Sequence, residues 1–368
     1  MMRPLLTRRS VLAGLAGSIV AARSASAIDA PRPNDVARYL AGLTPDAAAP
    51  EARWAQDPAW RQHAAAFDQA WNRLEKSQLA RVRSWSAKHI TARRPTLLYM
   101  FSGPDFLYAD AFFPDAKTYV MSGLEPVGPL PRITENNRRG LGGLRTSLNT
   151  VLNVSFFRTI DMRRQLSSNT FAGTLPLLMI FLARAGKTVV GMRHIGLDAK
   201  GQLVEIEPNV RSSATSPANG VEIIFSDASG ENRKLYYIQT DVSNRGPGLD
   251  ALMEFCRSLG PADGFVKSAS YLMHAPNFSK IREFLLAQTE LLLEDDSGIP
   301  MQYFPATDWE LKPYGRYLGP IGLFPGRGQR QLAELYARSP REPIDFGIGY
   351  RHRQNDSNLL LAVKKPRA

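Results

Sequence analysis

From Pro95 onward the apolar positions fall in short runs separated by turn-forming residues. Thr96-Leu97-Leu98-Tyr99-Met100-Phe101 predicts a buried strand, Ser102-Gly103-Pro104-Asp105 a tight loop opening a helix, and Lys117-Thr118-Tyr119-Val120-Met121 a second strand. Two helices are expected next, the second over Thr174 to Ala185. Strands follow at Thr188 to His194, Leu203 to Ile206, Val221 to Phe225 and Leu235 to Gln239, with turns at Ala199-Lys200-Gly201 and Ser229 to Asn232. Gly248 to Leu259 places Leu249, Leu252, Met253, Cys256 and Leu259 on one helical face. Beyond it the pattern predicts a strand over Gly264 to Leu272, a helix over Phe278 to Leu293, and a closing hairpin of Phe346 to Tyr350 with Leu359 to Val363. Such an order implies a single α/β domain, Rossmann-like and three-layered, with a mixed sheet carrying antiparallel hairpins.

Upstream the texture is helical. Asp57 suits an N-cap and Pro58 a first helical position, and Trp60, Ala64, Phe67, Trp71 and Leu74 form one apolar stripe. Four of the 5 tryptophans (Trp54, Trp60, Trp71, Trp85) lie in this lead, which must dock either on the body of the chain or on a ligand or partner. Residues 28 to about 50, rich in Ala, Pro and Asp, read as a loosely held arm. The expected organisation is therefore a signal peptide (1–27), a helical segment (28–93) and an α/β domain (94–368).

The first 27 residues combine Arg3, Arg8 and Arg9, an apolar stretch from Val11 to Ala22, and Ala25-Ser26-Ala27 as a cleavage site before Ile28. Thr7-Arg8-Arg9-Ser10-Val11-Leu12 resembles the twin-arginine export pattern, with Val11 where that pattern usually has Phe; an ordinary secretory signal is the alternative. The apolar stretch is too short to span a bilayer, so a soluble periplasmic or secreted product is expected, with no transmembrane segment. Removing these residues takes four arginines and no acid, so the net charge of +12 on 368 residues becomes 42 basic against 34 acidic side chains, or +8.

That charge, outside the cytoplasm, suits an anionic small molecule, a glycan or an envelope component better than nucleic acid, and no aromatic-interleaved basic motif appears; on charge alone, a solvated basic surface with no partner is the plainer reading. The single cysteine excludes an intramolecular disulfide, and its position on an apolar face makes Cys256 a packing residue rather than a reactive thiol.

In open α/β sheets, ligands gather beyond the carboxyl ends of the parallel strands. The polar residues at those ends are Ser102 and Asp105, Glu125, Asp241 and Asn244, and His274 ahead of Pro276-Asn277; Asp295-Asp296-Ser297-Gly298 adds an acidic turn at a helix end. Carboxylates with one histidine are the components of a hydrolytic acid–base site, with His274, Asp105 and Asp241 as its candidates. The plainer roles are helix capping for Asp105 and an Asx-turn for Asp241. Glu125, Ser102, Asn244 and Asp296 are binding candidates. Arg327 joins them from a glycine-rich stretch, Gly319 to Arg330, suited to holding an anion on backbone amides. No zinc spacing links the 5 histidines, and no GxSxG, CxxCH or post-strand GxGxxG occurs, so neither metal nor cofactor is named.

The phrases FSGPDFLY (Phe101 to Tyr108), KSASYLMH (Lys267 to His274), DDSGIP (Asp295 to Pro300) and SNLLLAVKK (Ser357 to Lys365) together resemble a group of exported bacterial proteins of unassigned function. The resemblance implies one continuous body after Pro95 and no mechanism. The strand–helix series ending in an antiparallel hairpin also resembles the class I methyltransferase topology, without its glycine-rich first loop. Two functional classes result: an exported ligand-binding protein, or a periplasmic hydrolase.

Overall fold

In Thr96–Tyr99 (β1), Leu97 and Tyr99 enter one apolar core while Leu98, followed by Met100, enters another. A strand buried on both faces needs helices on both sides, and the computed structural model supplies them. It describes residues 32–135, 141–142, 171–208, 213, 217–340 and 342–366. Among these, one 10-stranded mixed sheet runs in the order β4-β3-β5-β6-β2-β1-β7-β8-β10-β9. The remaining strands are β2 (Thr118–Gly123), β3 (Thr188–Leu197), β4 (Leu203–Glu205), β5 (Ala218–Ser226), β6 (Asn232–Gln239), β7 (Ala262–Val266), β8 (Thr289–Glu294), β9 (Trp309–Gly315) and β10 (Asn358–Lys364).

The central strands β6, β2, β1, β7 and β8 are parallel, and antiparallel strands flank them on both sides. One face is covered by α1 (Pro33–Leu40), α2 (Pro58–Leu74), α3 (Ala80–His89), α4 (Phe106–Phe112) and α5 (Leu175–Arg184). The other carries α6 (Leu249–Ser258) and α7 (Ser279–Gln288), with α8 (Arg330–Arg338) packed on Leu360. The connection β1-α4-β2 departs from β1 in one direction. Those through α6 and α7 depart in the other, so right-handed crossovers place their helices on the opposite face. The strand order thus reverses at β1, and a crevice opens at its carboxyl end.

The tryptophan-rich lead docks on the body. Asp57 caps α2 by accepting from the Ala59 amide at 2.8 Å, and a π-helical turn over Glu75–Leu79 passes α2 into α3. Trp85 then packs edge-on against Phe112, Tyr314 and Phe346, all from the body, at centroid distances of 5.8, 4.9 and 6.1 Å.

Several expectations are corrected. The supposed arm contains α1, whose Val36, Ala37, Tyr39 and Leu40 are wholly buried. Pro33 sits at the first helical position, and an apolar face recurs at 36, 39 and 40, too short a stripe to stand out in an Ala/Pro-rich stretch. The strand expected over Gly264 to Leu272 ends at Val266, because Ser268, Ser270 and Tyr271 take positive φ (53°, 52°, 53°). The helix expected to reach Leu293 stops at Gln288, and Leu291-Leu292-Leu293 is strand, alternating between the two cores. Asp295 and Asp296 therefore follow a strand, not a helix. Phe346 to Tyr350 is irregular, and β10 pairs instead with β8 and with β9, whose Pro313 had obscured it and is tolerated at the sheet edge. Of the two helices expected after β2, the second is α5; much of the interval for the first lies outside the described residues, as do most of 208–216 and all of the expected signal peptide.

Candidate functional site

A cleft of about 390 Å³ occupies the crevice at the carboxyl ends of β1, β2, β6 and β7. Four segments bring Phe101, Ser102, Gly103 and Asp105; Leu124 and Glu125; Thr240, Asp241 and Val242; and Lys267 to Ser270. Phe278, Leu323, Phe324 and Tyr350 complete its walls.

Its floor is ionic. Asp105 caps α4, accepting from the Tyr108 amide at 3.3 Å; its Oδ2 also accepts from the Tyr99 hydroxyl at 2.8 Å and lies 2.7 Å from Lys267 Nζ. Both charged side chains are 2 % exposed, and the ammonium stands 4.1 Å from the centroid of the Tyr108 ring. Burial and the adjacent Asp105 charge push the Tyr99 phenol far up, so it stays a donor. Beside this triad, Ser102 Oγ donates to the Gly103 carbonyl and accepts from the Ser122 amide, tying the end of β1 to that of β2. Gly123 is held to glycine by space, since a Cβ there would lie 2.6 Å from Glu125 Oε2 and 2.7 Å from the Tyr237 hydroxyl.

The loops around the cleft are strained. Phe101, Ser268, Ser270 and Tyr271 are the non-glycine residues with positive φ among those described, and all lie just after β1 or β7. Each costs about 1–3 kcal/mol and persists only where its surroundings over-determine it. For the loop after β7 the acidic turn does so. Asp295 accepts from the Ser268 amide at 3.0 Å, Ser297 Oγ from the Ala269 amide at 2.8 Å, and Asp296 from the Tyr271 hydroxyl at 2.7 Å. From the opposite side the Tyr350 hydroxyl accepts from the Ser270 amide and donates to the Ser268 carbonyl. Burial pushes both the Asp295 and Asp296 carboxyls up, and their proximity adds to it for Asp295.

The structure thus brings Ser102, Asp105, Glu125 and Asp241 to one cleft and leaves the other candidates outside its lining. His274 sits beside Tyr271 with Nε2 buried and unbonded, and its imidazole is pushed down to about 4 by burial and then by the guanidinium groups of Arg327 and Arg282. It does not line the cleft that holds Asp105 and Asp241. Asn244 is a staple, donating to Pro276 O and Ser279 Oγ and accepting from the Lys280 amide at the start of α7. Asp296 positions Tyr271 and Asn358. Arg327 is exposed; its glycine-rich stretch instead gives the cleft Leu323 and Phe324, the latter packed on Tyr271 and Tyr350.

Sequence reasoning missed Lys267, Phe278, Phe324 and Tyr350. Lys267 left one signal, a lone lysine just after a wholly buried strand. Its partner Asp105 lies far away in the chain.

Fold and site together define a mixed-sheet α/β protein with a ligand-sized cleft at its strand-order reversal. Comparison with protein families, curated proteins and solved structures finds no match to this chain. Among the described residues no helix is long and apolar enough to cross a membrane, and no three His, Cys, Asp or Glu side chains are grouped to hold a metal ion.

Proposed function

We propose that this chain is an exported binding protein whose cleft receives one small organic molecule. The observation that carries the reading is the cleft itself: ligand-sized, walled by Phe101, Val242, Leu272, Phe278 and Phe324, with a few polar groups on its floor, at the place where open α/β sheets hold ligands. The strained loop after β7 at its border, braced from two sides, fits a preorganised site. Export is supported by the basic, apolar and A-x-A pattern of residues 1–27. A carboxylate–histidine hydrolase is the weaker reading, because the one histidine proposed for it lies outside the cleft among arginines.

A thermal-shift screen of small metabolites and saccharides on the mature protein and on Leu124→Trp tests the reading. Leu124 is 44 % exposed at the rim, so the larger ring narrows the mouth without entering the core. Ligands at about 100 times Kd stabilise the wild type by ~2.7 kcal/mol and the variant far less. Hits that stabilise both proteins equally would place binding elsewhere and overturn the proposal.

A further inference from the structure

The cleft has the opposite charge to the chain that builds it. The chain carries +12, yet the acidic and basic side chains lining the cleft are three carboxylates, Asp105, Glu125 and Asp241, against the single ammonium of Lys267. Lys267 is matched by Asp105 at 2.7 Å. Glu125 and Asp241 have no cationic partner among the described residues. Glu125 is 2 % exposed, and the Tyr237 hydroxyl lies 3.0 Å from its main-chain oxygen and 3.3 Å from Oε2. Its Oε1 accepts nothing from the described residues and is not sealed from solvent, so it is the acceptor this otherwise buried side chain offers to the cleft. Asp241 is exposed at the rim, with Oδ1 engaged by the Ser243 amide and Oδ2 open. Two aromatic pairs line the same space, Phe101 with Phe278 and Phe324 with Tyr350, at centroid distances of 6.0 and 4.8 Å. Aromatic faces attract cations, and a carboxylate without a cationic partner pairs best with a charged donor.

We infer that the molecule received by this cleft carries a cationic nitrogen, an amine or ammonium, beside an apolar body. This deepens the binding reading above and rests on it. The cation meets Glu125, with Asp241 guiding it at the mouth, and the apolar part fills the space between the aromatic pairs. An anion of the same shape meets two unmatched carboxylates and no unmatched lysine or arginine of the described lining. The basic surface therefore does not report the ligand's charge.

The test is isothermal titration calorimetry with three probes of one shape: 4-phenylbutylamine, 4-phenylbutanol and 4-phenylbutyrate. The amine is expected to bind at least about tenfold more tightly than the alcohol, and the carboxylate most weakly. Glu125→Gln, which keeps an acceptor for Tyr237, is expected to weaken the amine about tenfold or more and leave the alcohol within about twofold. Asp241→Asn, at the exposed rim, reduces the amine's association rate and its salt dependence with little change in dissociation. Equal binding of amine and alcohol, or tighter binding of the carboxylate, overturns the cationic assignment while the cleft remains a binding site. Failure of all three to bind overturns both.

Discussion

Lys267→Met removes one member of the ion pair under the cleft and leaves the other. At 2.7 Å and an effective dielectric constant of about 20, the Coulomb attraction between the charges is ~6 kcal/mol, opposed by the cost of withdrawing both from water. The pair as a whole therefore adds little, but the single substitution strands Asp105 with only the Tyr99 hydroxyl and the Tyr108 amide. Stranding a buried charge costs ~3–5 kcal/mol. Asp105→Asn in the same background keeps a capping side chain on α4 and removes the stranded charge, so the double variant recovers more than half of the loss. Urea unfolding followed by circular dichroism, run as a double-mutant cycle, measures both quantities. A loss below about 1 kcal/mol for Lys267→Met, or strict additivity of the two substitutions, would refute the buried pair.

Three further outcomes follow from the same packing. Burial pushes the Asp263 carboxyl up to about 7, so the folded chain holds a proton that the unfolded chain (about 3.9) has lost, and stability falls as pH climbs between those values by up to ~1.4 kcal/mol per unit. Asp263→Asn is expected to make that slope shallower and raise the urea midpoint at pH 8; an unchanged slope speaks against it. Cys256 is fully buried with its thiol pushed up by desolvation, so a thiol reagent should find no reactive group in the native protein and one equivalent in denaturant. Trp85→Ala empties the junction where the helical lead meets Phe112, Tyr314 and Phe346 and should cost ~3–5 kcal/mol by urea unfolding; a loss under about 1 kcal/mol would mean the lead is loosely docked.

Local signals made some parts of the molecule readable. The unit from Thr96 to Met121 carries its own punctuation: a buried run, a Gly-Pro turn, a capping Asp105 and a second run. That readable unit also positions Ser102 and Asp105 at the cleft. Where tertiary contacts decide, the pattern misleads. Leu291-Leu292-Leu293 is apolar at every position because β8 is covered on both faces, and such a run has no period to separate strand from helix. The same run makes Asp295 and Asp296 read as helix-end turn residues, whereas they brace the loop after β7. Net charge is a property of the whole chain, whereas the cleft lining turns on which few side chains the sheet brings together, and these include more carboxylates than amines.

A crystal of the mature protein soaked with 4-phenylbutylamine shows directly where a cationic ligand sits. The ring is expected between Phe278 and Phe324, with the amine nitrogen within hydrogen-bonding distance of Glu125. Density for the amine elsewhere on the protein, or a bound molecule with its nitrogen turned to solvent and its ring on Glu125, would contradict it.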